Sequence, residues 1–156
     1  MDVTTEYLMQ RHSVRIDIDP ETGCHAWTGS KRRGYGEVRL NGRKHPAHRL
    51  FWIGANGPIP DGMNVDHICW NKSCVNVEHL RLATPSQNNA YLRGAKRDNT
   101  SGHRNVYWDE SKRRWRTVVD KDGKRYRFGQ YADVADAARA AEAGRVALHG
   151  AFAGNG

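Results

Sequence analysis

Residues 65–80 concentrate side chains that bind metal ions and activate water. This short segment holds an acid, two histidines and two cysteines: Asp66, His67, Cys69, Cys74 and His79. A histidine whose pKa lies near neutrality can serve as a general base, and thiolates with imidazoles are the usual ligands of structural zinc. The segment therefore indicates hydrolytic chemistry beside a metal centre.

A tetrahedral zinc needs four ligands, and Cys69, Cys74 and His79 supply three of them. The candidates for the fourth are, in order of preference, Cys24, which is the remaining cysteine, then His48 and His25. An odd number of cysteines, three in all, argues against a closed disulfide framework. The alternative is that the cysteines are buried free thiols.

Hydrolysis of a phosphodiester also needs a cation at the phosphate, and Mg²⁺ or Mn²⁺ prefers oxygen ligands. Asp66 and Asn88 offer a carboxylate and an amide oxygen, with the neighbouring Asn89 as the alternative to Asn88. Adjacent residues of a strand point to opposite faces. Asp66 and His67 therefore reach one site only if the strand ends or twists there, and otherwise they are ordinary turn residues.

Local patterns predict the elements that position these groups. The predicted elements are strands at 24–27 and 35–40, a helix at 47–53, strands at 63–67 and 80–82, and a helix from Pro85 to about Arg93. Asn41-Gly42 between alternating residues predicts a hairpin turn. The sequence from Thr84 to Gln87 has the form of a capped helix start, which places Asn88 early on the helix after the two strands.

The chain changes character after residue 92. Residues 93–102 are polar, charged and glycine-containing, which is typical of a linker. Three short strands are predicted at 106–108, 115–119 and 126–128, with a hairpin turn at Asp122-Gly123. An alanine-rich helix over 133–148 is predicted to end before Gly150.

Positive charge is concentrated in the same region. The chain carries 25 Lys and Arg against 17 Asp and Glu, a net charge of +8, and residues 93–131 alone hold 12 against 5. This concentration favours a nucleic-acid face over a merely solvated one. No apolar run is long enough to span a bilayer, and no signal-like segment opens the chain. We therefore expect a soluble protein of the reducing cytoplasm, not a secreted one.

Residues 63–89 resemble the HNH and His-Cys-box endonucleases, which share the ββα-metal fold. The matching residues are Asp66-His67, His79-Leu80-Arg81, Asn88 and, for the zinc-bearing His-Cys-box form, Cys69 and Cys74. His79 stands where many HNH members have Asn. The resemblance implies His67 as the general base, Asn88 as a ligand of a catalytic Mg²⁺ or Mn²⁺, Asp66 as a second ligand, and a structural Zn²⁺.

A looser resemblance to phage-type HNH proteins extends upstream. It rests on residues 24–29, 34–36 and 47–49. Arg49 is the predicted cation near the scissile phosphate, where a guanidinium can pair with two phosphate oxygens. The alternatives for Arg49 are a surface salt bridge and a contact to the DNA backbone.

Residues 101–153 resemble the DNA-binding domain of plant ethylene-response factors, the APETALA type, which also occurs fused to HNH nucleases. The matching pieces are 104–106, 115–119, 123–131, 135–141 and 149–153. Asn105 stands where the family often has Gly, and Tyr107 and Val118 replace charged residues on the DNA face. The resemblance implies a three-stranded antiparallel sheet that packs on one helix and binds duplex DNA.

Strand alternation separates an apolar face of this sheet from a basic one. Trp115, Thr117 and Val119 share the face toward the helix, whereas the intervening residues point outward. An outward basic face can enter a major groove, and cations in a turn suit phosphates. The predicted DNA-binding residues are Arg104, Tyr107, Lys112, Arg113, Arg114, Arg116, Val118, Arg125 and Arg127.

The sequence therefore predicts an α+β protein with a zinc-bearing ββα-metal nuclease domain at 1–92, a linker at 93–102 and an APETALA-like domain at 103–156. We expect a phage-type or homing endonuclease that hydrolyses double-stranded DNA to 5′-phosphate and 3′-hydroxyl ends. Nicking by a monomer is favoured over double-strand cutting by a dimer. The alternatives are a non-catalytic DNA-binding regulator with a structural zinc and, with less support, a protein that binds or cleaves RNA.

Overall fold

Residues 4–155, which a computed structural model describes, form four α-helices and ten short strands, so the expected α+β class is confirmed. The contacts divide the chain into two compact units, Met1–Thr84 and Pro85–Gly156. The expected domains also include residues 1–3 and 156, which lie outside the described residues. Within residues 4–155, no helix has both the length and the apolar character required to cross a membrane.

The first unit is built from small antiparallel sheets and two helices. Its elements are α1 (Thr5–His12), β1 (Ile16–Ile18), β2 (His25–Trp27), β3 (Lys31–Arg32), β4 (Tyr35–Leu40), β5 (Arg43–Pro46), α2 (Ala47–Asn56), β6 (Asn64–His67) and β7 (Leu80–Ala83). The strands pair as β1–β2, β3–β4–β5 and β6–β7. The predicted Asn41-Gly42 hairpin is confirmed, because Leu40 pairs with Arg43 and both turn residues have positive φ, 49° and 76°.

The core of the first unit forms around Trp27, which is fully buried with Leu8 and Phe51. Gly36 of β4 lies directly against the indole, since a Cβ there would stand 2.7 Å from Trp27 side-chain atoms. A side chain at this position would overpack the core. The close contact of β4 with Trp27 holds β2, the strand that follows Cys24, in a fixed place.

The second unit is a helix on a three-stranded sheet. Its elements are α3 (Pro85–Ala90), β8 (Val106–Asp109), β9 (Arg114–Lys121), β10 (Lys124–Tyr131) and α4 (Val134–His149). The strand order is β10–β9–β8, with antiparallel pairing throughout. The predicted Asp122-Gly123 turn joins β9 to β10, and α4 begins at the cap Asp133, whose side chain accepts two backbone N–H bonds.

A small residue on α4 allows the helix to lie close to the sheet. A β-bulge at Phe128 interrupts the β9–β10 register, and the Phe128 ring reaches to 2.8 Å from where a Cβ of Gly144 would stand. Ala137 and Ala141 are fully buried on the same helix face. The alanine-rich composition of α4 therefore serves close packing.

Helix α3 ends at Ala90, three residues before the expected end at Arg93, because tertiary hydrogen bonds take the carbonyls that further turns would use. Arg104 donates from Nη2 to the Ala90 carbonyl at 2.8 Å and from Nη1 to the Leu92 carbonyl at 3.0 Å. The Asn155 N–H donates to the Leu92 carbonyl as well, at 3.0 Å. These bonds also explain why α3 belongs to the second unit.

Candidate functional site

A short antiparallel bridge brings the distant Cys24 to the cysteine loop. The Trp27 N–H donates to the Ser73 carbonyl and the Val75 N–H donates to the His25 carbonyl, each at 2.8 Å, and Ala26 pairs with Cys74. Strand β2 is thereby extended by the loop. Since Cys24 immediately precedes β2, its side chain meets that of Cys74.

Two further contacts place His79 beside these cysteines. The Asn76 side chain donates to the Gly23 carbonyl at 2.7 Å and caps the single 3₁₀ turn Val77–His79. The Ile68 N–H then donates to the His79 carbonyl at 2.9 Å, which extends the β6–β7 pairing into the loop. The turn is fixed at both ends, so the position of the imidazole is fixed as well.

The four side chains Cys24, Cys69, Cys74 and His79 form a cluster whose ligand atoms all lie within 4.8 Å of one another. The His79 Nδ1 atom lies 3.5 Å from the Cys24 sulfur and 3.7 Å from the Cys74 sulfur. Tetrahedral zinc, with bonds of about 2.3 Å to sulfur and about 2.0 Å to nitrogen, separates S and N by about 3.5 Å. The cluster is thus compatible with zinc, with Cys24 rather than His25 or His48 in the fourth position.

The thiols of this cluster share protons unequally in the absence of a metal. A hydrogen bond with Cys74, followed by burial, raises the pKa of Cys69. The same hydrogen bond is the main cause that lowers the pKa of Cys74. Zinc binds thiolates and displaces such protons, so Cys74 would enter metal binding at a smaller proton cost than Cys69.

His67 is fixed by the backbone of the same loop. It ends β6 opposite Leu80, it is 5% exposed, and its Nε2 lies 3.0 Å from the Cys74 carbonyl oxygen. A carbonyl oxygen only accepts, so Nε2 carries the proton and Nδ1 keeps its lone pair. Burial lowers the pKa of His67, although the Cys74 carbonyl and Asp66 oppose the shift. The ring is therefore neutral at neutral pH, as a general base must be.

Asp66 has different surroundings from His67. It pairs across the strands with Arg81, and Arg81 Nε donates to Asp66 Oδ2 at 3.0 Å, with both side chains mostly buried. Alternation along β6 thus separates the two neighbours. Asp66 can offer Oδ1 to a cation, while Oδ2 is engaged with Arg81.

The sequence patterns missed a cluster of rings around His67. The His48 ring lies 4.8 Å from the His67 ring, and the Tyr35 ring lies 5.3 Å from His48 and 5.9 Å from His67. Burial first, then His67 and Arg49, lower the pKa of His48 to about 3, so His48 remains neutral. The available signal is the Ala47-His48-Arg49 match, although the sequence pattern offers His48 only as a weaker zinc ligand.

Arg49, Asn88 and Asn89 complete the predicted catalytic set. Arg49 lies half-buried in the first turn of α2, and no ion pair among residues 4–155 includes it, so the salt-bridge alternative has no support. Asn88 and Asn89 both lie on α3 in the second unit. The distances within the first unit therefore give no position for Asn88 or Asn89 relative to His67.

Most of the predicted DNA-binding residues are exposed on one face or turn of the β8–β10 sheet. Register places Tyr107 opposite Arg116 and Arg127 opposite Val118, and the Arg116 guanidinium lies 5.7 Å from the Tyr107 ring centroid. Arg125 forms an exposed ion pair with Asp120 at 3.0 Å. The exposed members are Tyr107, Lys112, Arg113, Arg114, Arg116, Arg125 and Arg127.

Two of the predicted DNA-binding residues, Arg104 and Val118, are buried. Arg104 is 8% exposed, and its guanidinium donates to four backbone carbonyls, those of Ala90, Leu92, Ala153 and Asn155. Val118 is likewise 8% exposed, so little of its side chain is left for a base. Strand alternation predicts the side of the sheet on which a residue such as Val118 lies. It does not predict whether neighbouring side chains bury that residue.

Comparison with known proteins places these features in a family. A family model described as HNH endonuclease matches residues 45–90. Protein 3.8 of Escherichia phage T7 is 36% identical over 106 residues, which is 68% of this chain and 86% of that protein. Protein 7.7 of the same phage is 42% identical over 42% of this chain and 51% of its own length. No solved structure matches the chain.

Removal of the cluster imidazole tests the metal centre. We expect the purified wild-type chain to contain one zinc per chain, and His79→Ala to lose most of it, because three thiolates leave the tetrahedral site incomplete. The loss should lower the melting temperature, since the metal links β2 to the loop. Elemental analysis and thermal unfolding with and without chelator measure both effects. His25→Ala is the matched control, and equal zinc loss in both variants would contradict the assignment.

Proposed function

This chain belongs to the family of phage proteins that includes Protein 3.8 of Escherichia phage T7, and on that premise we propose that it is a metal-dependent DNA endonuclease. One observation carries the proposal. Within the segment matched by the HNH endonuclease family, His67 is buried at the end of β6 with Nε2 bonded to the Cys74 carbonyl. That geometry leaves Nδ1 as the proton acceptor of a fixed, neutral imidazole.

In the proposed reaction, His67 removes a proton from water, and the water oxygen attacks phosphorus in line with the leaving oxygen. A P–O bond to water forms and the bond to the 3′-oxygen breaks, which yields 5′-phosphate and 3′-hydroxyl ends. The proton passes to Nδ1, while the Cys74 carbonyl stabilises the imidazolium that forms. The lowered pKa of His67 favours return of that proton to the solvent.

Oxygen donors for a catalytic cation are present in the predicted set. Asp66 Oδ1 and the side-chain oxygen of Asn88 would hold Mg²⁺ or Mn²⁺, which supplies charge stabilisation to the leaving oxygen. Arg49, without an ion-pair partner among residues 4–155, is available to a phosphate oxygen. Asp66 already shares Oδ2 with Arg81, so we assign it the secondary role.

The Cys24–Cys69–Cys74–His79 cluster is proposed to bind a structural Zn²⁺. A two-stranded sheet such as β6–β7 is marginal without further support. A zinc at the cluster would fix the loop that supplies the carbonyl to His67. The proposed role of this metal is therefore to hold the general base in place.

The second unit is proposed to bind double-stranded DNA with the basic side of its sheet, as its resemblance to the APETALA type implies. The three-stranded sheet on one helix has the implied arrangement, and Arg116 and Arg127 are exposed on the side away from α4. Lys112 and Arg113 in the turn before β9, with Arg114 at the start of that strand, suit phosphates. The proposal assigns residues 1–92 to a nuclease domain, residues 93–102 to a linker and residues 103–156 to a DNA-binding domain.

The finer properties belong to the same proposal. The proposal assigns one general base, His67, to the chain, and it therefore includes nicking by a monomer in preference to cutting of both strands. The relatives are proteins of Escherichia and enterobacterial phages, so we place the activity in an infected bacterial cell, in phage biology or homing.

Substitution of the general base tests the nuclease assignment. His67→Ala should reduce Mg²⁺-dependent nicking of supercoiled plasmid by at least about a hundredfold, since general-base catalysis contributes that much, while zinc content and DNA affinity persist. His45→Ala, a histidine of β5 outside the site, should cleave at the wild-type rate. Equal rates for His67→Ala and wild type would refute the assignment, and absence of cleavage in wild type with intact binding would favour the regulator.

Two neighbouring asparagines allow a matched test of the catalytic metal ligand. Asn88→Ala should lower the nicking rate by at least about tenfold at limiting Mg²⁺ and respond to higher metal concentrations, because one oxygen ligand is lost. Asn89→Ala should retain the wild-type metal dependence. The metal titration of the nicking rate decides between them, and the reverse pattern would transfer the role to Asn89.

An arginine of the sheet tests the DNA-binding face. Arg116→Ala should weaken binding of duplex DNA about tenfold in fluorescence anisotropy, because a charge-assisted contact to DNA is lost. Arg139→Ala removes an exposed arginine from α4, on the other side of the sheet, and should bind like wild type. A loss of the same size in both variants would show that only net charge matters.

A further inference from the structure

Arg145 of α4 is a buried cation with an incomplete set of hydrogen bonds. It is 2% exposed, and its Nη1 donates to the Arg104 carbonyl at 3.2 Å. Its Nε–H is buried and finds no acceptor among residues 4–155. A buried donor left without a partner costs free energy, so an acceptor beside the Arg145 Nε–H would be favourable.

A second buried guanidinium, that of Arg104, lies beside it. Burial is the first cause that lowers the pKa of Arg104 to about 10, and the positive charge of the nearby Arg145 is the second. No ion pair within residues 4–155 includes either arginine. Glu142 acts favourably on Arg145, but its side chain is exposed. Buried charges are normally paired, whereas these two guanidinium groups have backbone carbonyls and the exposed Glu142 as their compensation.

Arg104 and Arg145 both line a cavity of about 450 Å³ in the second unit. Lys96 contributes an exposed ammonium at its rim. Two carboxylates, Asp98 and Asp120, also line it, and Asp120 is already paired with Arg125 at 3.0 Å. The cations of the cavity therefore exceed its free carboxylates.

We propose that this cavity binds a phosphate group, with Arg145 and Lys96 as N–H donors and Arg104 as a fixed neighbouring charge. The Arg104 Nη atoms already donate to backbone carbonyls. Arg104 would therefore attract the phosphate by its positive charge and not by new hydrogen bonds. A phosphate supplies several acceptor oxygens, one of which can accept from the Arg145 Nε–H. It also supplies up to two negative charges, which offset the charges of the two neighbouring guanidinium groups. The phosphate comes either from the DNA backbone or from a free phosphate compound.

Calorimetric titration with inorganic phosphate tests the site directly. The full chain is titrated at constant ionic strength without added divalent cation, so that the nuclease site does not contribute. One phosphate per wild-type chain is expected. Lys96→Met and Arg145→Lys should each weaken binding by about tenfold, since each removes a charge-assisted hydrogen bond. Arg97→Met removes a neighbouring exposed cation that does not line the cavity, and it should bind phosphate like wild type.

The Lys96→Met variant keeps the test valid if Arg145→Lys fails to fold, because Lys96 is exposed and its loss leaves the core intact. Duplex DNA then identifies the source of the phosphate. If the backbone supplies it, Lys96→Met lowers DNA affinity for all sequences and reduces the salt slope by about one. If a free phosphate compound supplies it, DNA affinity stays at the wild-type value while phosphate binding is lost.

The proposal is overturned if wild type binds no phosphate, or if Lys96→Met and Arg97→Met bind it equally well. These outcomes are independent of DNA cleavage. A chain that binds phosphate at this cavity but nicks no plasmid would refute the proposed nuclease function and leave the phosphate site in place.

Discussion

The hydrogen-bonded bridge between β2 and the Ser73–Val75 segment is the constraint on which the first unit depends. It aligns Ala26 with Cys74 and so carries Cys24 to the other three ligands of the cluster. The carbonyl of the same Cys74 accepts the bond from His67. One residue thus serves the cluster through its sulfur and the histidine through its backbone, so a displacement of the bridge would disturb both.

This coupling explains why a metal is useful in so small a unit. The β6–β7 pair is only two strands wide, and such a pair has little stability alone. The Trp27 core lies on one side of the bridge, and the cysteine cluster holds the loop on the other. A zinc at the cluster would replace apolar burial that short strands cannot provide. Such a zinc would hold His67 in place in addition to the packing of the first unit.

Features with a local cause could be predicted from the sequence. The Asn41-Gly42 and Asp122-Gly123 turns were predicted because type I′ geometry demands those residues, and the cluster was predicted because few ligands of the right chemistry exist in the chain. Features with a tertiary cause could not. The end of α3 depends on Arg104 reaching the Ala90 carbonyl, and the tilted ring contact between His48 and His67 joins residues that no local pattern connects.

Strand alternation also determines which groups Asp66 and His67 contact. Because adjacent strand residues face opposite sides, His67 meets the Cys74 carbonyl while Asp66 meets Arg81. The Asp66–Arg81 pair joins directly opposed residues of β6 and β7 and so holds the register that places His67 at the end of its strand. The Asp66–Arg81 pair therefore supports the position of His67 whether or not the remaining oxygen of Asp66 binds a cation. Asp66 and His67 thus meet their partners on two faces of one strand, and the ion pair that holds the register needs no direct contact with the imidazole.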